Sequence, residues 1–203
     1  MRKKILALVM ARKGSRRLKN KNILKIKNKP LVEWTFDILD KKNVRRLFVN
    51  VLVSTDSREI INISKKYKFL APWLRPKSLS NKFTTSEATA LHAIEWYEKN
   101  FEKIDGVFLF QPTSPYRSQK NIISAVKIFR KKSQQIVSVC SNKTYKFKKN
   151  DVNGSLYLTP VNFLKKFKTF KKKGFTKIKI YKAKENIDID TYEDLIIAKK
   201  FKK

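Results

Sequence analysis

The sequence predicts an α/β fold, a three-layer α/β/α sandwich with a mainly parallel sheet. Short apolar runs typical of buried strands alternate along the chain with segments that have the apolar spacing of amphipathic helices. Strand–helix–strand units with parallel pairing produce this alternation. The chain contains no internal repeat and no linker of distinct composition, so we expect a single domain over residues 1–203.

The apolar runs determine the predicted strands. The first run, at residues 5–10, leads directly into a charged loop, and the run at 107–110 is expected to form a buried central strand. Residues 178–181 alternate between apolar and polar side chains, as expected for an edge strand. In chain order, strands are predicted at residues 5–10, 48–53, 69–70, 107–110, 136–140, 153–158 and 178–181.

The helices are predicted from apolar residues three and four positions apart. They cover residues 31–39, 58–67, 84–97, 118–129, 161–167 and 192–201. Asp56 is interpreted as the cap of the helix that starts near Arg58, and Thr84 with Glu87 matches a capping box. His92 lies in the third helix and is interpreted as a helix residue rather than a metal ligand or general base.

The composition is strongly basic. The chain has a formal net charge of +33, from 49 basic and 16 acidic side chains. Of the basic residues, 39 are lysine and ten are arginine, whereas sequence-specific DNA-binding proteins and bidentate phosphate sites favour arginine. We therefore expect no specific nucleic-acid partner, although such a field attracts polyanions and speeds encounter with an anionic substrate. A polyanion-binding protein on the same fold is the alternative.

The sequence has one cysteine and no apolar run long enough for a membrane helix. Cys140 lies within an apolar run and is expected to be a small core residue, since a lone thiol forms no internal disulfide. The first apolar run is too short for a signal peptide, and no run approaches the ~20 residues that a membrane helix needs. We expect a cytoplasmic protein with no membrane partner.

The loop at residues 11–22 is the first candidate site. It follows a buried strand and contains one glycine, one serine and several lysines and arginines. Parallel sheets bind ligands beyond the carboxyl ends of their strands, and backbone N–H groups with fixed cations suit a polyphosphate. We therefore expect a nucleotide triphosphate here. Because basic residues occur throughout the chain and the loop matches no common glycine-rich phosphate motif, a solvated basic loop is the alternative.

Asp188 and Asp190 are the best candidates for metal ligands. In an extended segment, residues two apart face the same side, so both carboxylates can contact one Mg2+. Mg2+ takes hard oxygen ligands and shares them with substrate phosphates. The alternative is a helix start in which Asp190 is the N-cap.

A third candidate site, at residues 111–117, follows the predicted central strand. Its amide, hydroxyl and guanidinium groups suit a polar substrate with several hydroxyls, and two prolines stiffen the loop. The alternative is a rigid proline turn in which Ser114 is a cap. Arg75, which precedes Pro76, is interpreted either as a contact to a base or phosphate or as a residue that closes a loop.

Together these segments resemble the CMP-sialic acid synthetases, the acylneuraminate cytidylyltransferases. The resemblance extends over residues 1 to about 200 and depends on motifs that occur in the same order. They are Ala11-Arg12-x-Gly14-Ser15 with Lys21-Asn22, Ser54-Thr55-Asp56-Ser57, Leu74-Arg75-Pro76, Gln111-Pro112-Thr113-Ser114-Pro115 with Arg117, Asn153-Gly154, and Ile187-Asp188-Ile189-Asp190-Thr191.

The resemblance implies a Rossmann-like nucleotidyltransferase that transfers CMP from CTP to the anomeric hydroxyl of a nonulosonic, sialic-acid-like sugar and releases pyrophosphate. Another 3-deoxy-ulosonic acid such as Kdo is the alternative acceptor. The implied nucleotide-binding residues are Arg12, Gly14, Ser15, Arg16, Lys21, Asn22, Arg75, Thr84 and Ser86. The implied sugar-binding residues are Gln111, Thr113, Ser114, Arg117 and Asn153. Asp188 and Asp190 would bind Mg2+ as the cofactor, and Arg12, Lys21 and Asp190 would act in catalysis.

The chain departs from the family pattern at two places. Lys82 stands where the family usually has an aspartate. Residues 142–151 are shorter than the family's protruding insertion, which builds the dimer and lends basic residues to the partner's sugar site. A homodimer, a differently built dimer and a monomer are therefore all open. If lysines elsewhere in the chain replace those basic residues, the sequence does not identify which lysines they are.

Overall fold

The computed structural model describes residues 2–15, 17–172 and 174–201. In chain order, its strands are β1 (Ile5–Met10), β2 (Lys25–Ile26), β3 (Lys29–Pro30), β4 (Val51–Ser54), β5 (Gly106–Phe110), β6 (Ile136–Cys140), β7 (Val152–Pro160) and β8 (Thr176–Ile180). Six of them form the main sheet in the order β4-β1-β5-β7-β6-β8, and β2 pairs with β3 in a separate hairpin.

The main sheet is mainly parallel. β1 pairs in parallel with β4 and β5, and β8 pairs in parallel with β6 at one edge. β7 is antiparallel to both β5 and β6. The β6–β7 connection is a loop without a crossover helix, and such a connection joins antiparallel neighbours. The predicted α/β class is therefore confirmed, with one reversed strand that the sequence did not predict.

Helices cover both faces of the sheet. They are α1 (Leu31–Asp40), α2 (Lys42–Arg45), α3 (Arg58–Lys66), α4 (Ser86–Asn100), α5 (Gln119–Lys132), α6 (Val161–Phe167) and α7 (Tyr192–Lys200). On one face, Phe36 of α1 and Phe129 of α5 are buried with Phe108 of β5. On the other, Ile94 and Tyr97 of α4 share an apolar cluster with residues of β1 and α6. These two apolar layers produce the predicted three-layer sandwich.

The N-cap of α3 differs from the prediction by one residue. Ser57, and not Asp56, caps the helix, because its hydroxyl accepts a hydrogen bond from the N–H of Ile60. The carboxylate of Asp56 instead accepts the N–H of Lys13 at 2.5 Å. Asp56 therefore connects the end of β4 to the loop after β1, a long-range contact that the local capping pattern does not reveal.

The N-cap of α4 is also shifted by one residue. Thr85 caps the helix by accepting the N–H of Ala88, whereas the Thr84 hydroxyl donates to the carbonyl of Ser78. The predicted capping box of Thr84 with Glu87 is therefore wrong. Its threonine belongs to the preceding loop, and the Glu87 carboxylate accepts the N–H of Phe170.

Three smaller expectations concern single elements. Leu70 makes one isolated parallel bridge with Leu52 rather than a third strand, and the strand expected from residue 48 begins at Val51. Cys140 is buried in β6, as predicted, and its Sγ donates to Asn186 Oδ1 at 2.9 Å. Within the described residues, no helix combines the length and the apolar character that a membrane crossing requires.

Candidate active site

A cavity of about 370 Å3 lies beyond the carboxyl ends of β1 and β5. Parallel α/β sheets bind their ligands at this edge. Most of the residues predicted for the site line the cavity: Arg12, Gly14, Ser15, Lys21, Asn22, Arg75, Thr84, Ser86, Gln111, Thr113, Asp188 and Asp190. Arg16 lies outside the described residues.

Hydrogen bonds from several directions hold the loop after β1. The N–H of Lys13 donates to Asp56 Oδ1, and Arg12 Nη1 donates to the carbonyl of Asn81 at 3.2 Å. The side chain of Asn22 is buried and donates to the carbonyl of Arg12 at 2.8 Å. The loop is therefore folded against its neighbours, which favours the binding-loop interpretation over a solvated basic segment.

Arg75 is fixed at the end of β4. Its Nε donates to Ser54 Oγ at 3.0 Å, and its Nη2 donates to the carbonyl oxygen of the same serine. Burial lowers the pKa of Arg75 to about 10, an effect that the Asp56 carboxylate opposes. Arg75 also lines the cavity, so its position is compatible with both sequence-based interpretations, loop closure and ligand contact.

Asp188 and Asp190 reach the cavity from the segment that leads into α7. Both line it, as expected for residues two apart in an extended segment. The alternative in which Asp190 caps α7 is wrong, because Thr191 is the N-cap and forms a capping box with Asp194. The Asp190 side chain therefore lines the cavity and does not cap the helix.

The two aspartates have different electrostatic surroundings. Lys21 Nζ lies 2.9 Å from Asp190 Oδ1, and Arg17 Nη2 lies 2.8 Å from Asp190 Oδ2. Burial alone would raise the pKa of Asp190, but the hydrogen bond and charge of Lys21 lower it below its usual value. Burial, reinforced by the Asp190 charge, raises the pKa of Asp188. A cation bound beside Asp188 would oppose both effects and lower its pKa.

Tyr145, Lys146 and Asp194 belong to the same cluster, and sequence reasoning missed all three. Lys146 Nζ lies 3.0 Å from Asp194 Oδ2 and 3.4 Å from Asp190 Oδ2. It also donates to the carbonyl oxygen of Asp188 at 2.6 Å, and the Tyr145 hydroxyl donates to Asp194 Oδ1 at 3.0 Å. The short β6–β7 loop thus contributes to the site. The capping-box spacing could have identified Asp194, whereas nothing in the sequence distinguishes Lys146 from neighbouring lysines.

Arg117 and Ser114 depart from the expected sugar contacts, because both are buried and neither lines the cavity. Arg117 donates from Nε to the carbonyl of Ser155 at 2.6 Å and from Nη1 to that of Ser114 at 2.6 Å. Its Nη2 donates to the carbonyl of Gln111 at 2.5 Å. Burial lowers the pKa of Arg117 to about 9. Arg117 therefore holds the loop after β5 through its carbonyl groups and is not positioned to contact a ligand in the cavity.

Asn153 likewise lies beneath the site rather than in it. Its side chain is buried, accepts from Ser138 Oγ at 2.5 Å and donates to Asn186 Oδ1 at 2.6 Å. The predicted sugar contact is therefore replaced by a buried polar network between β6, β7 and the segment before Asp188. Gly154, the next residue, has a φ of 77° and lies beside Asp188.

A second cavity of about 170 Å3 adjoins the first and shares Ser86 and Gln111 with it. Its other described lining residues are Glu87, Leu109, Tyr157, Phe170 and Lys171. A molecule in this cavity would lie directly beside a ligand in the larger one. None of the residues predicted for sugar binding lines it except Gln111.

The donor set fits Mg2+. Asp188 and Asp190 supply hard carboxylate oxygens on one cavity wall, and the raised pKa of Asp188 reflects two negative groups held together in a buried place. Within the described ranges, no group of three or more His, Cys, Asp or Glu side chains is arranged to hold a metal ion. A metal here would be held by these two carboxylates and would share its other positions with substrate phosphates and water, as is usual for Mg2+.

Several known proteins are similar to this chain in sequence or in fold. The family described as cytidylyltransferase matches residues 6–100. The chain is 27% identical to the CMP-N,N'-diacetyllegionaminic acid synthase of Legionella pneumophila, over 97% of this chain and 95% of that protein. It is 38% identical to the N-acylneuraminate cytidylyltransferase of Escherichia coli, over 70% of this chain and 33% of that protein. A CMP:2-keto-3-deoxy-manno-octonic acid synthetase solved with CTP has the same fold, with a TM-score of 0.71, 13% identity and 97% of each chain covered.

Proposed function

The chain belongs to the cytidylyltransferase family and resembles the CMP-sialic acid synthetases, and we propose that it transfers CMP from CTP to the anomeric hydroxyl of a nonulosonic acid. One observation carries the proposal. A single cavity brings the cationic loop of Arg12 and Lys21 together with the carboxylates of Asp188 and Asp190, from opposite ends of the chain. Cations for a triphosphate beside carboxylates for a divalent metal are what nucleotidyl transfer requires.

The larger cavity is the proposed nucleotide site. Arg12 and Lys21 would bind the triphosphate, with backbone N–H groups near Gly14 and Ser15 as further donors. Arg75, held by Ser54, would contact the cytosine end of the nucleotide. The cavity also contains polar groups suited to ribose hydroxyls, namely those of Asn22, Thr84 and Ser86.

The smaller cavity is the proposed acceptor site. It adjoins the nucleotide site at Gln111, which lines both cavities. The side-chain oxygen of Gln111 and the carboxylate of Asp188 both lie next to Gly154. The ring centroids of Tyr157 and Phe170 lie 6.1 Å apart, and the two rings form an apolar wall suited to the C–H face of a sugar. The acceptor would thereby meet the α-phosphorus between Gln111 and Asp188.

In the proposed reaction, the anomeric hydroxyl oxygen of the acceptor attacks the α-phosphorus and loses its proton to solvent. A new oxygen–phosphorus bond forms, the bond from the α-phosphorus to the bridging oxygen breaks, and its electron pair leaves with pyrophosphate. Arg12 and Lys21 stabilise the negative charge that grows on the leaving oxygens. The hydrogen-bonded loops hold the two substrates in line, which supplies much of the remaining acceleration.

Asp188 and Asp190 are the proposed ligands of Mg2+. When bound, Mg2+ would offset charge on the phosphate oxygens and lower the pKa of the attacking hydroxyl. Lys21 and Lys146 both contact Asp190, and their charges would keep its carboxylate ionised before a metal arrives.

Pyrophosphate release from CTP with Mg2+, screened over N-acetylneuraminate, legionaminic and pseudaminic acids and Kdo, tests the proposal. We expect release with a nonulosonic acid, and release with Kdo alone would select the alternative acceptor.

Asp190→Asn and Arg12→Met should each lower turnover by about 100-fold or more while thermal unfolding is little changed. Lys19→Met, at an exposed lysine of the same loop, is the control. The absence of release with every acceptor would refute the proposal.

A further inference from the structure

The smaller cavity contains one cation whose role the family pattern does not supply. Among its described lining residues, Lys171 is the only basic side chain and Glu87 the only acidic one. A sugar acid that enters this cavity brings a carboxylate close to the carboxylate of Glu87. Such like-charge contact is unfavourable unless a cation offsets it.

The segment that carries Lys171 is anchored to the protein on both sides. The side chain of Gln135, itself buried, donates to the carbonyl of Thr169 at 3.2 Å and accepts the N–H of Lys172 at 3.0 Å. Phe170 is buried, and its N–H donates to the Glu87 carboxylate at 3.3 Å. The backbone of Lys171 is therefore held at the cavity rim by contacts that do not involve its own ammonium group.

The neighbouring lysine points elsewhere. Lys172 Nζ lies 3.3 Å from the centroid of the Phe167 ring, outside the residues that line the smaller cavity. Lys171 and Lys172 thus have the same charge and adjacent backbone positions but different surroundings. A comparison of variants at the two lysines therefore distinguishes a specific contact at the cavity from the general effect of a basic surface.

We propose that Lys171 binds the carboxylate of the acceptor and makes the enzyme selective for sugar acids over neutral sugars. The inference rests on the proposed function and deepens it. Residues 142–151 are shorter than the insertion with which the family pattern lends basic residues to the partner's sugar site, whereas Lys171 would supply a cation from within the same chain. Lys171 lines the smaller cavity and is not among the residues that line the larger one.

Steady-state kinetics of Lys171→Met and of the matched control Lys172→Met test the assignment. We expect Lys171→Met to raise KM for the sugar acid about tenfold or more, as for a lost charge-assisted hydrogen bond, with kcat and KM for CTP changed less than about threefold. Lys171→Arg should recover most of the affinity, and Lys172→Met should match the wild type. Equal KM values for Lys171→Met and Lys172→Met would overturn the assignment.

An acceptor whose carboxylate is converted to a carboxamide shows whether the contact is to that group. The wild type should lose affinity for the carboxamide, and Lys171→Met should lose nothing further. A further loss of the same size would assign Lys171 a role in cavity shape and overturn the proposal.

Calorimetric binding of each sugar acid in the screen, measured on the same variants without CTP, does not require turnover. Binding that depends on Lys171 without turnover would therefore refute the proposed reaction alone, and binding independent of Lys171 would refute this inference alone.

Discussion

Lys21 Nζ lies 2.9 Å from Asp190 Oδ1, and this ion pair joins the loop after β1 to the segment before α7. Both residues line the larger cavity. The second oxygen of Asp190 lies 2.8 Å from Arg17 Nη2 and 3.4 Å from Lys146 Nζ. The chain's own cations therefore surround the carboxylate proposed as a metal ligand. A divalent ion that enters has to compete with them, whereas a bound triphosphate offers Lys21 another partner.

Removal of the Lys21 charge should strengthen metal binding to the nucleotide-free protein. We expect Lys21→Met to raise the affinity for Mn2+, used as a paramagnetic substitute for Mg2+, about tenfold or more, because a positive charge within a few ångströms of the metal position is lost. Titration followed by electron paramagnetic resonance measures the free ion directly. Lys19→Met removes the same charge from an exposed position of the loop and should leave the affinity within about twofold. Equal affinity in all three proteins would contradict this reading of the ion pair.

Arg117 should contribute to stability rather than to substrate binding. Arg117→Met removes the buried donor to the carbonyl oxygens of Gln111, Ser114 and Ser155, and we expect a loss of about 2 kcal/mol or more in the free energy of unfolding. The Gln111 oxygen keeps a hydrogen bond from the N–H of Ser114 at 3.2 Å, so the loss comes mainly from the oxygens of Ser114 and Ser155. Urea denaturation measures it. Arg58→Met, at an exposed arginine, should change stability by about 0.5 kcal/mol or less. A variant of unchanged stability with a raised sugar KM would restore the original sugar-binding interpretation.

The sequence predicted the parts of the site that depend on local order along the chain. The alternation of strands and helices determines which loops lie at the carboxyl edge of the sheet, so the loops of Arg12 and Gln111 were correctly expected there. The two-residue spacing of Asp188 and Asp190 likewise determines a shared face. These inferences need only the order and type of elements.

The parts that failed depend on contacts between distant segments. Arg117 was expected in the cavity because it follows the central strand, yet its partner Ser155 belongs to the reversed strand β7. Lys146 reaches the aspartates from a loop whose path depends on the same reversal. With 39 lysines in the chain, composition obscures the few that bind a buried group. Only the tertiary structure separates them from surface charge.

The Asp194 carboxylate should give the protein a stability contribution that depends on pH. Burial would raise its pKa, but hydrogen bonds from the N–H of Asp190, from Lys146 and from the N–H of Thr191 lower it below the usual value. A lowered folded-state pKa stabilises the protein above the unfolded-state pKa, and the contribution is lost as the pH falls through the folded-state value. We expect Asp194→Asn to cost about 1 kcal/mol near pH 7 and progressively less below pH ~4.

Urea unfolding of the wild type and Asp194→Asn at a series of pH values measures this difference. Asp40→Asn, at an aspartate in an exposed ion pair with Arg45, is the matched control and should cost about 0.5 kcal/mol or less at every pH. A cost of Asp194→Asn that stays constant from pH 7 to pH 3 would show that the charge of the carboxylate is not the stabilising feature.

Gly154 lies beside Gln111 and Asp188, where the two proposed substrate sites adjoin, and should be required for the shape of this junction as well as for the backbone. Its φ of 77° is in the left-handed region, and an added Cβ would lie 3.7 Å from Gln111 Oε1 and 3.9 Å from Asp188 Cγ. Gly154→Ala should lower stability by about 1 kcal/mol through backbone strain. The methyl group would also narrow the space between Gln111 and Asp188, so kcat/KM for pyrophosphate release should fall about tenfold. Gly174→Ala, at a φ of 92° with no atom within 4 Å of the added Cβ, should show comparable strain but unchanged turnover. Equal turnover in the two variants would mean that the acceptor does not occupy the space beside Gly154.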